Sequence, residues 1–248
     1  MKEFEKELLG LLEEKQSLSV EEIASALYVS PSTVRRRLAV LDRDGLIRRT
    51  HGGAEYDAGG HSLPSFSSRF RVNTIGKRRI ALSALRLIRD GDVIFLDGST
   101  SAFFIAESLS RFRDIKVVTN GIDTLHLLSR YGVDVYSTGG IISRENRSVL
   151  VGRNAEEFIR SMRADMTFFS AQSILPNGEI YDCFDEENTL RNLMISHSRR
   201  SAFLCDSTKL REISPFRLCA VGELDYIVCE KDPGAYFDEG VKLPELIY

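Results

Sequence analysis

Apolar residues recur at intervals of three and four through the N-terminal part of the chain, which is the spacing of amphipathic helices. The first such segment spans residues 2–15. Its apolar stripe consists of Phe4, Leu8, Leu11 and Leu12. A second, shorter helix is predicted to begin at Ser19, because Ser19 and Glu22 have the S-x-x-E spacing of a capping box.

A third helix is predicted to begin at Pro31, since proline is favoured in the first helical turn and Ser30 supplies an N-cap hydroxyl. Its buried stripe consists of Val34, Leu38 and Leu41. Residues 46–56 are typical of a β-hairpin, because Gly52 and Gly53 supply the positive φ angles of a tight turn. Three helices followed by a two-stranded hairpin predict a winged helix-turn-helix.

Beyond residue 74, short apolar runs alternate with helical segments. The predicted strands are 93–97, 116–119, 134–138, 166–171, 202–205 and 226–229. The predicted helices lie near residues 101–111, 124–131, 155–163 and 186–198. This alternation predicts a Rossmann-like, mostly parallel sheet with helices on both faces, so the fold class is α/β.

The same pattern divides the chain into domains. The winged helix-turn-helix is expected to occupy residues 1–57. Residues 58–73 are rich in glycine and serine, a composition typical of a linker. Residues 74–248 form the larger domain. We find no internal repeat and no low-complexity segment.

Charge is distributed unevenly between these domains. The net charge of the chain is -3 at pH 7, which by itself does not suggest nucleic-acid binding. Residues 31–51 nevertheless contain six arginines against two aspartates, and residues 67–79 contain five basic residues and no acid. The positive charge therefore lies in the first third of the chain.

The four cysteines lack the spacing of a metal site or a disulfide set, so we expect buried free thiols. The N-terminus has no secretory pattern, and no apolar run approaches the roughly 18–20 residues that span a bilayer. We therefore expect a cytoplasmic protein that contacts no membrane and needs no metal or cofactor.

The face of the third helix opposite its apolar stripe is the candidate DNA-contacting surface. An arginine there can donate two hydrogen bonds to a guanine edge, worth roughly 1–3 kcal/mol of discrimination. The candidate DNA-binding residues are Ser30, Ser32, Thr33, Arg35, Arg36, Arg37, Arg43, Arg48, Arg49, His51, Gly52 and Gly53. A solvated helix face is the alternative. Helix spacing, capping and the glycine turn together favour double-stranded operator DNA as the partner.

Residues 18–54 resemble the N-terminal module of the DeoR family of bacterial regulators, most specifically at His51-Gly52-Gly53-Ala54. The family has an acidic residue where this chain has Arg37. The resemblance continues to residue 209, through Asp97–Ser101, Val118–Gly121 and Asp206–Lys209. It implies a repressor whose second domain resembles the ribose-phosphate isomerase and glucosamine-phosphate deaminase fold and binds a phosphorylated sugar.

The residues themselves agree with an anion site. Loops 97–101 and 119–121 each follow a predicted strand and lead into a helix, where amides and hydroxyls can bind an anion. A lysine after a third strand can supply positive charge. The candidate effector-binding residues are Asp97, Gly98, Ser99, Thr100, Ser101, Thr119, Asn120, Gly121, Gly139, Gly140, Asp206 and Lys209.

Several positions depart from the family pattern. In loop 97–101 the glycine is shifted by one position relative to the family pattern, and residues 170–173 replace a glycine-rich loop. Arg191 replaces a lysine of the family pattern, and Leu210 replaces a phenylalanine. These changes favour either a different effector or a weakened site.

Two other functions of the second domain stay open. Asp97, Asp206 and Glu187 are conceivable bases of an isomerase or deaminase, but no spacing indicates a catalytic pair, so no catalytic residue is predicted. The domain is also expected to form a homo-oligomer that presents two winged helices to repeated half-sites, and this could be its sole role.

Overall fold

The structure is a computed structural model that describes residues 3–43, 47–50, 52–56, 65–210 and 214–248. For Glu3, Arg43 and Arg48 the description is limited to the backbone. The chain clusters into two compact units, Met1–Arg69 and Phe70–Tyr248. Among the described residues, no helix is both long enough and apolar enough to cross a lipid bilayer.

The N-terminal unit has three helices and a small antiparallel sheet. Its elements are α1 (Glu3–Lys15), β1 (Ser17–Ser19), α2 (Val20–Ala26), α3 (Pro31–Arg43), β2 (Ile47–Thr50) and β3 (Gly53–Tyr56). β3 is the central strand, flanked by β1 and β2. The predicted winged helix-turn-helix is confirmed. Strand β1 was not predicted, because three residues are too few to show an alternating pattern.

One apolar cluster holds this unit together. Its buried members are Leu8, Leu12, Val20, Ile23, Ala24, Val34, Leu38, Leu41, Ile47 and Ala54. The stripe predicted for α3 is therefore buried. In α1, Leu9 rather than Leu11 is among the half-buried residues packed against the cluster. The capping box is present, with the Ser19 amide 2.7 Å from Glu22 Oε2 and the Glu22 amide 3.2 Å from Ser19 Oγ.

Helix α4 (Phe66–Arg71) lies within the segment expected to be a linker, of which residues 58–64 lie outside the described residues. Phe70 stacks on Phe104 with ring centroids 4.8 Å apart. The segment is therefore partly helical, and its last residues belong to the packing of the larger unit. The exact domain boundaries stay a prediction.

The larger unit alternates strands and helices. Its helices are α5 (Thr74–Ala84), α6 (Thr100–Ala106), α7 (Ile122–Arg130), α8 (Arg153–Arg160) and α9 (Asp185–Ser196). Its strands are β4 (Val93–Leu96), β5 (Lys116–Thr119), β6 (Asp134–Ser137), β7 (Ile141–Ile142), β8 (Leu150–Val151), β9 (Met166–Phe169), β10 (Ser173–Ile174), β11 (Glu179–Asp182), β12 (Ser201–Cys205), β13 (Phe216–Ala220), β14 (Tyr226–Cys229) and β15 (Glu245–Ile247).

Seven parallel strands form the central sheet in the order β15-β14-β12-β9-β4-β5-β6. The predicted α/β class with a mostly parallel sheet is confirmed. The chain builds outward from β4 to β6, and then continues on the other side of β4 from β9 onward. The order thus reverses between β4 and β9, which is the topological switch point where open sheets of this kind bind ligands.

Both faces of this sheet are covered. Ile94 and Leu96 of β4 point into a cluster with α5, α6 and α7, while Phe95 points into a cluster with α8 and α9. The pattern did not predict β15, the hairpin of β7 and β8, or the antiparallel sheet of β10, β11 and β13. The four cysteines are free and buried, as expected.

Candidate DNA-binding and effector-binding sites

Three hydroxyl groups cluster at the N-terminus of α3. Ser30 Oγ lies 2.9 Å from Ser32 Oγ and 3.0 Å from Thr33 Oγ1, and it accepts a hydrogen bond from the Thr33 amide at 3.3 Å. Ser30 and Ser32 are exposed. The predicted N-cap therefore also forms a polar tip at the N-terminus of α3.

The arginines of α3 have different surroundings. Arg35 and Arg36 are exposed, and Arg35 Nη2 lies 3.1 Å from Glu21 Oε1 of α2. Arg37 is half-buried, and its Nη1 lies 3.2 Å from Glu5 Oε1 of α1. The arginine that replaces an acidic residue of the family pattern is thus paired inside the unit, between α3 and α1.

The wing depends on its two glycines. Gly52 has φ 105°, and its carbonyl accepts a hydrogen bond from the Val20 amide at 2.8 Å. A Cβ atom on Gly53 would lie 2.2 Å from the carbonyl oxygen of Leu18, so no side chain fits between β3 and β1. Arg49 is exposed on β2. His51 and the side chains of Arg43 and Arg48 lie outside the described part of the chain.

The two predicted effector loops touch through their glycines. A Cβ atom on Gly98 would lie 2.3 Å from Val149 Cγ1, and one on Gly121 would lie 2.8 Å from Gly98 Cα. Loops 97–101 and 119–121 therefore approach this closely because neither glycine has a side chain. Gly98, the glycine that is shifted by one position relative to the family pattern, is therefore the residue at which this close contact requires a glycine.

Asp97 follows β4 and is buried, with donors on both carboxylate oxygens. The Ser99 amide donates to Oδ1 at 3.2 Å, and the Ser170 amide and Arg191 Nε donate to Oδ2 at 3.2 and 3.0 Å. Ser99 Oγ in turn accepts from the Ala102 amide at 3.2 Å and caps α6. Asp97 and Ser99 thus fix the shape of the first loop.

Arg191 of α9 is buried among three carboxylates. Its guanidinium nitrogens lie 3.0 Å from Asp97, 3.1 Å from Asp182 and 2.9 Å from Glu187. Burial alone would lower the pKa of Arg191, but the charges of Asp182, Glu187 and Asp97 together raise it. A planar guanidinium can bond several carboxylates at once, which a lysine ammonium does less well. Arg191 therefore ties α9 to the ends of β4 and β11.

The second loop packs against the start of β8. Asn120 Nδ2 donates to the Leu150 carbonyl at 3.1 Å, and the Leu150 amide donates to the Asn120 carbonyl at 2.8 Å. Asn120 Oδ1 and Thr124 Oγ1 are buried and have no hydrogen-bond partner within the described residues. Gly121 is the N-cap of α7 and adds no side-chain bond to the first helical amides. The start of α7 thus has unsatisfied polar groups.

Asp206 follows β12 and is buried near two lysines. Its Oδ1 accepts a hydrogen bond from the Thr208 amide at 3.0 Å, while Oδ2 has no hydrogen-bond partner among the residues described. Burial would raise the pKa of Asp206, but Lys209, Thr208 and Lys77 together hold that pKa below its ordinary value. Asp206 is therefore an ionised carboxylate that nearby lysines stabilise, and Glu230 is also close, because Asn73 Nδ2 donates to both carboxylates.

Lys77 is a buried charge that the sequence interpretation treated only as part of a basic stretch. It is 3% exposed, and its Nζ donates to the Val72 carbonyl at 2.8 Å. A signal was present in the sequence, because Lys77 has helical spacing to Ile80, Ala81 and Ala84 and so lies on the apolar face of α5.

Gly139 and Gly140 lie in the turn between β6 and β7, with φ 68° and 98°. A Cβ atom on Gly140 would lie 2.4 Å from the Val151 carbonyl oxygen. Both glycines therefore allow the positive φ angles of this turn. Their contact with an effector stays a prediction.

Two known domains match most of this chain. Residues 5–58 match the DeoR-like helix-turn-helix domain, and residues 72–231 match the DeoR C-terminal sensor domain. The chain belongs to the DeoR family. The winged helix is thus the DNA-binding module of a transcription regulator, and the α/β unit is its sensor domain. Both parts of the resemblance are confirmed.

Similar proteins include named repressors. This regulator is 29% identical over 231 residues to the HTH-type transcriptional repressor GlcR of Bacillus subtilis (strain 168), covering 93% of this chain and 88% of that protein. It is 28% identical over 221 residues to the glycerol-3-phosphate regulon repressor of Haemophilus influenzae, covering 89% and 86%. Ribose 5-phosphate isomerase from Plasmodium falciparum matches with 16% identity and a TM-score of 0.40, over 54% of this chain and 52% of that one.

Proposed function

We propose that this DeoR-family chain is a repressor of a carbohydrate-metabolism operon and releases its operator when a phosphorylated sugar binds the sensor domain. The observation that carries the effector assignment is the pair of unsatisfied buried oxygens, Asn120 Oδ1 and Thr124 Oγ1. A buried polar atom without a partner costs roughly 1–3 kcal/mol. A sugar hydroxyl supplies the donor that Asn120 Oδ1 lacks, and a second sugar hydroxyl can accept a hydrogen bond from Thr124 Oγ1.

Charge near β12 supports a phosphorylated ligand. Lys77 and Lys209 both act on Asp206 electrostatically, so two cations lie near the carboxyl end of this strand, together with the carboxylates of Asp206 and Glu230. β4, β5 and β12 all end on the same edge of the parallel sheet, on either side of the switch point. We assign the sugar hydroxyls to the start of α7 and the phosphate to the lysines. Asp97, Ser99 and Arg191 then act by holding the loops in place.

A thermal-shift screen tests this assignment. The probes are glycerol 3-phosphate, ribose 5-phosphate and glucosamine 6-phosphate, each beside its unphosphorylated counterpart and inorganic phosphate. We expect one sugar phosphate to raise the melting temperature, since a ligand at about 100 times its Kd adds about 2.7 kcal/mol. Asn120→Ala and Lys209→Ala should abolish the shift. Lys116→Ala, an exposed lysine at the opposite end of β5, is the control. A screen in which no compound stabilises the protein would count against an effector site.

We also propose that the sensor domain binds its ligand without turning it over. Asp97 and Glu187, two of the three candidate bases, are ion-paired to Arg191. A general base must be available to take a proton from the substrate. Incubation with ribose 5-phosphate or glucosamine 6-phosphate, followed by NMR, should leave the sugar unchanged. Product formation that Asp206→Asn abolishes would establish the enzyme instead.

For DNA, we assign base contacts to Ser32, Arg35 and Arg36, backbone contacts to the wing, and an intramolecular role to Arg37. A homo-oligomer would present two such modules to the two half-sites of an operator. An effector that binds one arrangement of this oligomer more tightly than another would change the affinity of the oligomer for the operator. Footprinting of the region upstream of the chain's own gene tests the target. A protected site that the stabilising sugar phosphate releases is expected, and an unprotected region at moderate salt would refute this operator.

A further inference from the structure

Tyr28 lies in the turn between α2 and α3 in a conformation that suits glycine. Its φ is 53°, in the left-handed region, where a Cβ atom lies too close to the following carbonyl oxygen. The turn has the bonding of a Schellman motif, because the Val29 amide donates to the Ala24 carbonyl at 3.0 Å. Glycine is the usual residue at the position that Tyr28 occupies.

The side chain of Tyr28 does not offset this strain by packing. It is 95% exposed, whereas its neighbours Leu27 and Val29 pack against the apolar cluster of the unit. A strained residue with a fully exposed aromatic side chain is a feature typical of functional sites. The phenol is therefore available to a second molecule, and the module's partner is DNA.

The place of Tyr28 in the turn indicates which part of DNA it meets. Two residues later, Ser30 begins the hydroxyl cluster at the tip of the recognition helix. That tip enters the major groove, so the turn that precedes it comes close to the phosphates at the edge of the groove. Tyrosine hydroxyls are among the neutral donors that bind phosphate oxygens and fix the position of a protein on the duplex.

We propose that Tyr28 donates a hydrogen bond from its phenol to a phosphate oxygen of the bound duplex, beside the tip of α3. A phosphate contact adds affinity for any sequence and does not discriminate between bases. Because the phenol is neutral, it displaces no counterion, and the salt dependence of binding is unchanged by its loss.

The test uses the full chain and two duplexes, one enriched by the wild type from a random-sequence library and one scrambled version of it. Tyr28→Phe should weaken binding to both duplexes by roughly tenfold, with the melting temperature and the slope of log Kd against log salt unchanged. Tyr28→Gly should lose the same affinity while the protein melts at the same or a higher temperature. A purely structural role would not separate affinity from stability in this way.

Tyr131→Phe is the matched control, since Tyr131 is also exposed but lies in the sensor domain. Single methylphosphonate substitutions in the enriched duplex should identify one phosphate whose neutralisation weakens the wild type and not Tyr28→Phe. Wild-type affinity of Tyr28→Phe for both duplexes would overturn the proposal, as would a loss confined to the enriched duplex. A wild type that enriches and binds no duplex would overturn the DNA-binding function as well.

Discussion

The two units of this regulator keep their polar side chains in opposite places. In the described part of the N-terminal unit every buried side chain is apolar. The candidate DNA-binding side chains that the structure describes are on the surface or half-buried, and among the described candidates Gly53 alone is buried. The sensor domain buries charged side chains, namely Lys77, Asp97, Asp182, Glu187, Arg191 and Asp206. A surface that reads DNA can change without disturbing its core, whereas an enclosed polar site shares its residues with the fold. Function and stability should therefore be separable in the first unit and coupled in the second.

The largest expected effect is on the buried ion cluster. Arg191→Ala leaves three carboxylates without their cation, and removing one partner of a buried charge pair typically costs about 3–5 kcal/mol. We expect urea unfolding to show a loss of this size. Arg153→Ala, which breaks an exposed pair with Glu157 on α8, should not measurably change stability. If the two variants lose equal stability, the buried charges of the sensor domain do not hold its fold together as we expect.

Substitutions of the glycines at close contacts, Gly98 in the sensor domain and Gly53 in the wing, also compare the two units. Gly98→Ala forces a Cβ atom against Val149, and overpacking of this kind costs about 1–3 kcal/mol. Val149→Ala in the same chain should recover part of the loss, because the clash is with a side chain. Gly53→Ala meets the carbonyl of Leu18 instead, so no side-chain truncation should rescue the wing. Calorimetry of the single and double variants measures these losses of stability. If Val149→Ala restores no stability to Gly98→Ala, the contact between residue 98 and Val149 is refuted.

Arg36→Ala tests whether the DNA surface is separable from its core. The side chain is exposed on α3, so its loss should leave the melting temperature unchanged. Loss of a bidentate base contact should weaken operator binding by about 1–3 kcal/mol, or about 5- to 150-fold. Fluorescence anisotropy with the enriched duplex gives the affinity. A variant that melts earlier, or that binds normally, would contradict this role.

Acid titration tests the charge of Asp206. Since its pKa is lowered in the folded state, the ionised carboxylate stabilises the fold above the ordinary carboxyl pKa, and this stability is lost as pH falls through the lowered value. Asp206→Asn should lose about 1 kcal/mol at neutral pH. The difference from wild type should shrink on acidification. Urea unfolding across the acid range checks this trend. A stability difference between wild type and Asp206→Asn that grows as the pH falls would contradict a lowered pKa of Asp206.

The smallest effect concerns the helix pair of the first unit. Arg37 and Glu5 are both partly buried, and such a pair contributes about 0.2–1 kcal/mol. Arg37→Glu should lower both stability and operator affinity slightly, because it repels Glu5 and tilts α3. Exchanging the two charges, with Glu5→Arg added, should restore both. If affinity stays low while stability returns, Arg37 itself contacts DNA.

The winged helix was predictable because its signals are local. The capping box at Ser19, the stripe of α3 and the glycine turn each lie within a few residues. The strands of the parallel sheet were recognisable as apolar runs, but not their order, which depends on pairings between distant segments. The cluster around Arg191 was not foreseen, since Asp97 is 94 residues away in the chain. Strand β10 has only two residues and carries no periodic signal.

The position of β4 in the middle of the sheet has a consequence for how the protein is made. β4 finds one neighbour in β5, but its other neighbour, β9, begins only at Met166. The winged helix has all its strands by Tyr56. Domains generally fold as units from the N-terminus during synthesis, and long-range strand pairing is slow. We therefore expect a nascent chain that stalls between these points to have a complete winged helix-turn-helix but an incomplete sensor sheet.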